Sequence, residues 1–126
     1  MYLLTNKTKN DIIHFLNEVK KVTNSNFIFL QRNELNKDPY YFIGIIEYDL
    51  IDVIEEIKKL TYKDFLKCQI DSSNGFLFMY VFIKTIKKYV VYIKLSIVKK
   101  NDKKVYVISF HEAVFNELNH RPFKDD

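Results

Sequence analysis

The sequence predicts an α+β fold in which N-terminal helices pack on one face of an antiparallel sheet. The sheet is a three-strand C-terminal meander with a short N-terminal strand added. Three observations carry this. Alternating apolar runs stand in series between Phe76 and His111: FLFMYVFIK, YVVYIKLSIV and KVYVISFH. The joints between them, TIKK and KKNDKK, are short enough for hairpins. The first half instead repeats apolar residues at helical spacing behind Thr-x-x-Asp start signals.

The elements follow in order. Thr8 and Asp11 open a helix over about residues 9–22, with Ile12, Ile13, Leu16 and Val19 on one stripe. Asn24-Ser25-Asn26 stops it, and Phe27 to Gln31 reads as a short strand. Arg32 to Asp38 is polar and reads as a loop. Asp38-Pro39 starts a short helix that Gly44 would end. Asp49 caps a clearer helix, about 50–60, with Leu50, Val53, Ile54 and Ile57 inward. Thr61 and Asp64 repeat the start signal and predict a helical turn ending near Lys67. Cys68 to Gly75 reads as a polar loop before the three strands. The tail from Glu112 to Asp126 has weak periodicity and is expected to be partly ordered. Neither repeats nor a linker interrupt the 126 residues, so a single domain over 1–126 is expected.

Residues two apart on a strand share a face. In the middle run Tyr89, Val91, Ile93, Leu95 and Ile97 oppose Tyr92, Lys94 and Ser96. In the last run Tyr106, Ile108 and Phe110 oppose Val105, Val107, Ser109 and His111. In the first, Leu77, Met79, Val81 and Ile83 oppose Phe78, Tyr80, Phe82 and Lys84. With the aliphatic faces set against the core, the other face gathers Lys84, Tyr92, Lys94, Ser109 and His111, framed by Tyr80 and Phe82. That face is cationic and aromatic and holds one imidazole, which suits a ribose-phosphate chain.

Composition bounds the chemistry. A net charge of +4 and a pI near 9.0 favour anionic partners. Gly44 and Gly75 are isolated, which excludes a phosphate-binding loop and a dinucleotide fingerprint. Cys68 stands alone, so no intramolecular disulfide forms and a reducing, cytoplasmic setting is expected. The N-terminus lacks a signal-peptide apolar stretch, and no run approaches a membrane span, so no membrane partner is expected. His14, His111 and His120 are far apart, and neither zincin nor Cys-x-x-Cys spacing occurs, so neither metal nor other cofactor is expected.

The ordered C-terminal motifs resemble the MqsR family of toxins from bacterial toxin–antitoxin modules, mRNA interferases with a RelE-like fold. Members show a leucine, then an Asp-aromatic pair in a short helix, a VFGK-type strand, an EVYIKL-type strand and an ISFH-type strand. The counterparts here are Leu60 with Asp64-Phe65, Val81-Phe82-Ile83-Lys84, Val91-Tyr92-Ile93-Lys94-Leu95 and Ile108-Ser109-Phe110-His111. The likeness spans about residues 45–113. It implies a cytoplasmic endoribonuclease acting on single-stranded mRNA, and a cognate antitoxin protein. It also implies that Lys67, Tyr92 and His111 carry catalysis. The departures are Ile83 at the glycine of VFGK, Cys68-Gln69 at a common Gly-Pro, and Met79 near a glutamine seen in some members.

Metal-independent RNA cleavage needs a base for the 2′-hydroxyl, an acid for the leaving 5′-oxygen and cations for the charge on phosphorus. His111 supplies the base or acid, Tyr92 orients or protonates, and Lys67, Lys84 and Lys94 hold phosphate, with Tyr80 beside them. Two alternatives remain open at this point. One is a non-catalytic RNA-binding module whose strand aromatics stack on bases. The other is a small interaction protein of the same fold.

Overall fold

A computed structural model describes residues 3–34, 37–70 and 78–126. In chain order these form β1 (Leu3–Thr5), α1 (Lys9–Lys21), β2 (Phe27–Phe29), α2 (Pro39–Ile45), α3 (Leu50–Lys58), β3 (Phe65–Ile70), β4 (Met79–Ile86), β5 (Tyr89–Val98) and β6 (Lys104–Glu112). The strands make one sheet in the order β1-β3-β4-β5-β6-β2. All neighbours are antiparallel except β2, which runs parallel to β6.

The helix starts follow their capping chemistry. Thr8 Oγ1 accepts from Asp11 N–H at 3.1 Å, while the Asp11 carboxylate accepts from Thr8 N–H at 2.9 Å. Asp49 and Asp52 repeat the exchange at 2.8 and 3.0 Å before α3. Asp38 caps α2 with Pro39 behind it. Gly44 does not end α2 as expected. It lies inside the last turn, and the left-handed position falls on Glu47, at φ 59°. There Tyr48 N–H donates to Ile43 O and Glu47 N–H to Gly44 O, the paired closure of a Schellman motif.

The three helices lie on one face of the sheet. Ile12, Leu16 and Val19 of α1, Phe42 of α2, and Val53 and Ile57 of α3 pack on Phe82, Ile93, Leu95 and Phe110. A smaller cluster of Leu66, Val81 and Ile83 lies apart, packed with Tyr92, Ala113 and Leu118. The outer face is therefore covered in part by the C-terminal tail.

Four expectations change. The turn expected to run helically to Lys67 is a 3-10 turn, Tyr62–Asp64, and Phe65–Ile70 is strand. The expected loop thus begins as strand; its remainder, 71–75, and the first two residues of the expected strand run, 76–77, lie outside the described residues. The strand at 27–31 is shorter and parallel rather than antiparallel. β1 was not foreseen. It is three residues long, too short for an alternation to register.

The faces of β4 and β6 also change, each for a stated reason. On β4 both sides are apolar, so pattern alone did not tell which was inward. Tyr80, Phe82 and Lys84 lie on the helix side, and Val81 and Ile83 on the outer side. On β6 the alternation breaks. Lys94 pairs with Ser109 and Leu95 with Val107, leaving Ile108 as an unpaired bulge residue. The extra residue lets Val107 and Phe110 both face the helices, while Ser109 and His111 face out. A second register shift, at Leu66, lets Phe65 face the core while Lys67 sits opposite Val81 on the outer face.

Deleting Ile108 is therefore expected to cost more than about 4 kcal/mol, because it forces either Phe110 outward or His111 inward. Ile108→Val is expected to cost only about 0.5–1.5 kcal/mol. Urea unfolding of the two variants checks this. Equal stability of the deletion and the parent would show that the bulge does not set the phase of the strand.

Candidate functional site

The outer face is a grid. Lys67, Val81, Lys94 and Ser109 form one cross-strand row, and Ile83, Tyr92 and His111 the next. Tyr92 and His111 are direct neighbours, with ring centroids 5.2 Å apart and planes 17° off parallel. Lys94 Nζ stands 6.0 Å from the centroid of the Tyr92 ring. Both His111 and Lys94 are only 6% exposed.

Tyr92, Lys94, Ser109 and His111 floor a cleft of about 250 Å³. Its walls come from two loops, one bearing Arg32 and Lys37 and the other Val114, Phe115 and Glu117. Parallel pairing explains the first wall. Phe29 aligns with Val107, and Leu30 N–H donates to the Val107 carbonyl at 3.1 Å. The chain leaving β2 therefore runs alongside β6 toward the bulge. Arg32 Nη1 reaches the carbonyl of Ile108 and Ser109 Oγ, both at 3.3 Å. The arginine thus serves the carbonyl of the residue the bulge leaves unpaired.

The second wall is a strap pinned at both ends. Ala113 N–H donates to the Val90 carbonyl at 2.8 Å. Further on, Leu118 packs against the outer-face cluster, and Arg121 pairs with Asp64 at 3.5 Å while donating to Leu118 O at 2.8 Å. Phe123 then meets Tyr62 and Phe65. The sparse apolar residues of the tail thus find separate sites rather than one helical stripe.

His111 is held in one protonation pattern. Its Nδ1 lies 2.9 Å from the Glu112 carbonyl oxygen, which accepts only, so Nδ1 carries the proton and Nε2 the lone pair. Burial is the main force pushing its pKa below the ordinary 6.5. The Glu112 bond opposes this, and the positive charges of Arg32, Lys37 and Lys94 push further down. The cleft thus contains a neutral imidazole base ringed by cations. It can accept a proton at Nε2 and bind an anion beside it.

The sequence-derived candidates divide. His111, Tyr92, Lys94 and Ser109 come together. Lys67 shares their face and row but lies two strands from Lys94, roughly 10 Å away, and does not line the cleft. Lys84 is on the helix side, its Nζ 3.8 Å from Glu56 of α3. Tyr80 is there too, stacked on Phe15 of α1 at 3.8 Å, with burial pushing its phenol up to about 12. Neither Lys84 nor Tyr80 reaches the cleft. Cys68 is buried in the main core, its thiol pushed up to about 11, which removes it as a nucleophile. Asp64, part of the quoted motif, accepts from Thr61 N–H and pairs with Arg121, a structural role.

Arg32, Lys37, Phe115 and Glu117 were missed. All lie on loops, and only the parallel pairing of β2 with β6 would have pointed to the first two. Among the described residues no three His, Cys, Asp or Glu side chains are grouped to hold a metal, and no helix is long and apolar enough to cross a membrane. Comparison with protein-family models, with curated proteins and with solved structures finds no significant match to this chain.

The lowered pKa of His111 has a definite consequence for stability. Between its folded pKa and 6.5 the unfolded chain binds more protons than the folded one. The stabilisation is full above the ordinary value and is lost as pH falls through the folded one. Urea unfolding at about pH 7.5 and about pH 5 is expected to show the parent losing stability on acidification, and His111→Gln losing less. Equal pH slopes would mean that His111 is not held neutral.

Proposed function

We propose that this chain is a metal-independent endoribonuclease that cleaves single-stranded RNA within the cleft. The neutral His111, with Nε2 available among Arg32, Lys37 and Lys94, is the observation that carries the reading. In the reaction, His111 Nε2 takes the proton of a ribose 2′-hydroxyl, and the 2′-oxygen attacks the adjacent phosphorus. The bond from phosphorus to the 5′-oxygen breaks, and the Tyr92 hydroxyl delivers a proton to that oxygen. The products are a 2′,3′-cyclic phosphate and a 5′-hydroxyl. His111 then returns its proton through water, restoring Tyr92 and itself.

The cations stabilise charge as it builds on phosphorus, where fixed positive groups in a partly dry site act most strongly. Lys67, further along the same row, suits a neighbouring phosphate on an RNA strand crossing the sheet. The biological reading is a growth-inhibiting mRNA interferase of the MqsR kind, RelE-like in fold, with a cognate antitoxin. The ordered strand motifs support that reading, and so does the shared cleft of the motif residues Tyr92, Lys94, Ser109 and His111.

An antitoxin has a physical opening beside the cleft. β2 covers β6 only over Val105–Val107, so among the described strands none pairs with the outer edge of β6 from Ser109 to Glu112. A partner strand added there would close the cleft from the side, and acidic residues on it would speed association.

Two experiments test the reading. Single-stranded RNA is incubated with parent and variants in the presence of a chelator, and product ends are mapped. His111→Ala is expected to lower cleavage by about 10²–10⁴-fold. Tyr92→Phe, which keeps the ring stack, and Arg32→Ala should lower it as well, whereas Lys84→Gln should not. Equal rates across the set, or no cleavage by the parent, would remove the assignment. Coexpression with the product of the adjacent reading frame should give a co-purifying complex that suppresses cleavage. A toxic chain that no neighbouring product binds would end the two-component reading and leave the nuclease chemistry standing.

A further inference from the structure

Val81 and Ile83 stand on the face of the sheet away from the helices, yet both are 0% exposed. Among the described residues, the cover that reaches them from beyond the sheet is the C-terminal strap. Ala113 and Leu118 pack on the cluster that they form with Leu66. Val81 also stands between Lys67 and Lys94 in their cross-strand row. Leu118 therefore fills the space between the cation that floors the cleft and the one outside it. An RNA strand cannot run from Lys94 to Lys67 with Leu118 in place.

The strap also carries a charge of the ligand's sign. Glu117 sets a carboxylate on the wall of a cleft that otherwise offers Arg32, Lys37 and Lys94. RNA would bring phosphate to the same cations, and a charge that attracts one attracts the other.

The cover is lightly held. Beyond Ala113, no backbone hydrogen bond among the described residues ties 114–126 to the sheet, and those of His120 and Asp126 run to Glu117 and Phe123 within the tail. Side chains do the rest. Arg121 Nη1 pairs with Asp64 at 3.5 Å, and its Nε donates to the Leu118 carbonyl at 2.8 Å, so one guanidinium ties Leu118 to the turn before β3. Phe123 adds ring contacts with Tyr62 and Phe65, and Asp126 an exposed pair with Lys9 at 4.0 Å. A segment with so few backbone bonds opens at low free-energy cost while the rest stays folded.

We propose that residues 114–126 are an autoinhibitory strap. Latched by Arg121 and Phe123, it closes the path from Lys94 to Lys67, and a longer RNA must displace it to be held along the whole row. The proposal rests on the reading of the cleft as an RNA site and adds a control on access to it.

The test is made in the His111→Ala background, so that RNA stays intact, with fluorescent single strands of about three and about twelve nucleotides. Phe123→Ala, which cuts the far anchor without changing charge, and Arg121→Gln should each bind the longer strand about 3- to 30-fold more tightly. The shorter strand should bind the latched chain and both variants alike. Adding Lys67→Gln should weaken binding of the longer strand more in the Phe123→Ala chain than in the latched one. Hydrogen exchange across residues 114–126 should quicken when the longer strand binds the latched chain. Unchanged or weaker binding of the longer strand by the folded variants, or slower exchange across the strap on binding, overturns the strap while leaving the cleavage chemistry intact. A chain that binds neither strand removes both.

Discussion

One extra residue organises this protein's outer face. Strand β6 must bury Val105 and Val107 against the helices near its start and Phe110 near its end. Strict alternation forbids that, because positions 107 and 110 differ by an odd number. Ile108 resolves the conflict by standing outside the ladder. The same shift turns Ser109 and His111 outward, next to Lys94 and Tyr92. The core thus gains both apolar groups and the cleft gains its imidazole from a single irregularity. The displaced carbonyl of Ile108 then receives Arg32, so the bulge recruits the cation that flanks the base. At the other end of the sheet, the shift at Leu66 sends Phe65 to the core and Lys67 out. Bulges commonly re-aim side chains beside functional sites, and here the geometry shows the mechanism directly.

The two faces of the sheet divide the labour. The helix face carries the large aromatic and aliphatic side chains, with Lys84 neutralised against Glu56 and Tyr80 held under α1. The outer face has a smaller apolar patch that anchors the tail. Beside it the polar residues Lys94, Ser96, Ser109 and His111 are buried as well. Three of the four are hydrogen-bonded, which offsets the cost of burying them: Ser96 Oγ donates to Phe78 O at 2.8 Å, Ser109 receives Arg32, and His111 donates to Glu112 O.

Much of this was legible in the sequence, and the rest was hidden for physical reasons. Reciprocal Thr-Asp and Asp-Asp pairs marked the helix starts, since the chemistry of a cap is local. The meander could be read because its joints were short. Period-two spacing brings Tyr92, Lys94, Ser109 and His111 to one face, although on β6 it is the bulge at Ile108, invisible in the pattern, that turns Ser109 and His111 outward. Lys84 and Tyr80 were misassigned because β4 is apolar on both sides, and neither side declares itself inward until the helices are placed. β3 resembles the end of a helical turn followed by the start of a loop, because its bulge destroys the alternation that would reveal a strand. Arg32, Lys37, Phe115 and Glu117 sit on loops, whose position depends on pairings far along the chain.

The parallel pairing of β2 with β6 has a further consequence, for the timing of assembly. Phe27 is aligned with Val105, and Arg32 is bonded to Ser109, 77 positions later. Such contacts carry the full entropic cost of closing a long loop and form after local structure is in place. During synthesis α1, β2, α2 and α3 are made before any of β6 exists. The chain can therefore fold its helices and first hairpins early, yet the imidazole and the arginine meet only when the last strand has docked. A chain that ends before β6 already carries Arg32 and Lys37, but it lacks Ser109, His111 and the strap against which they close the cleft.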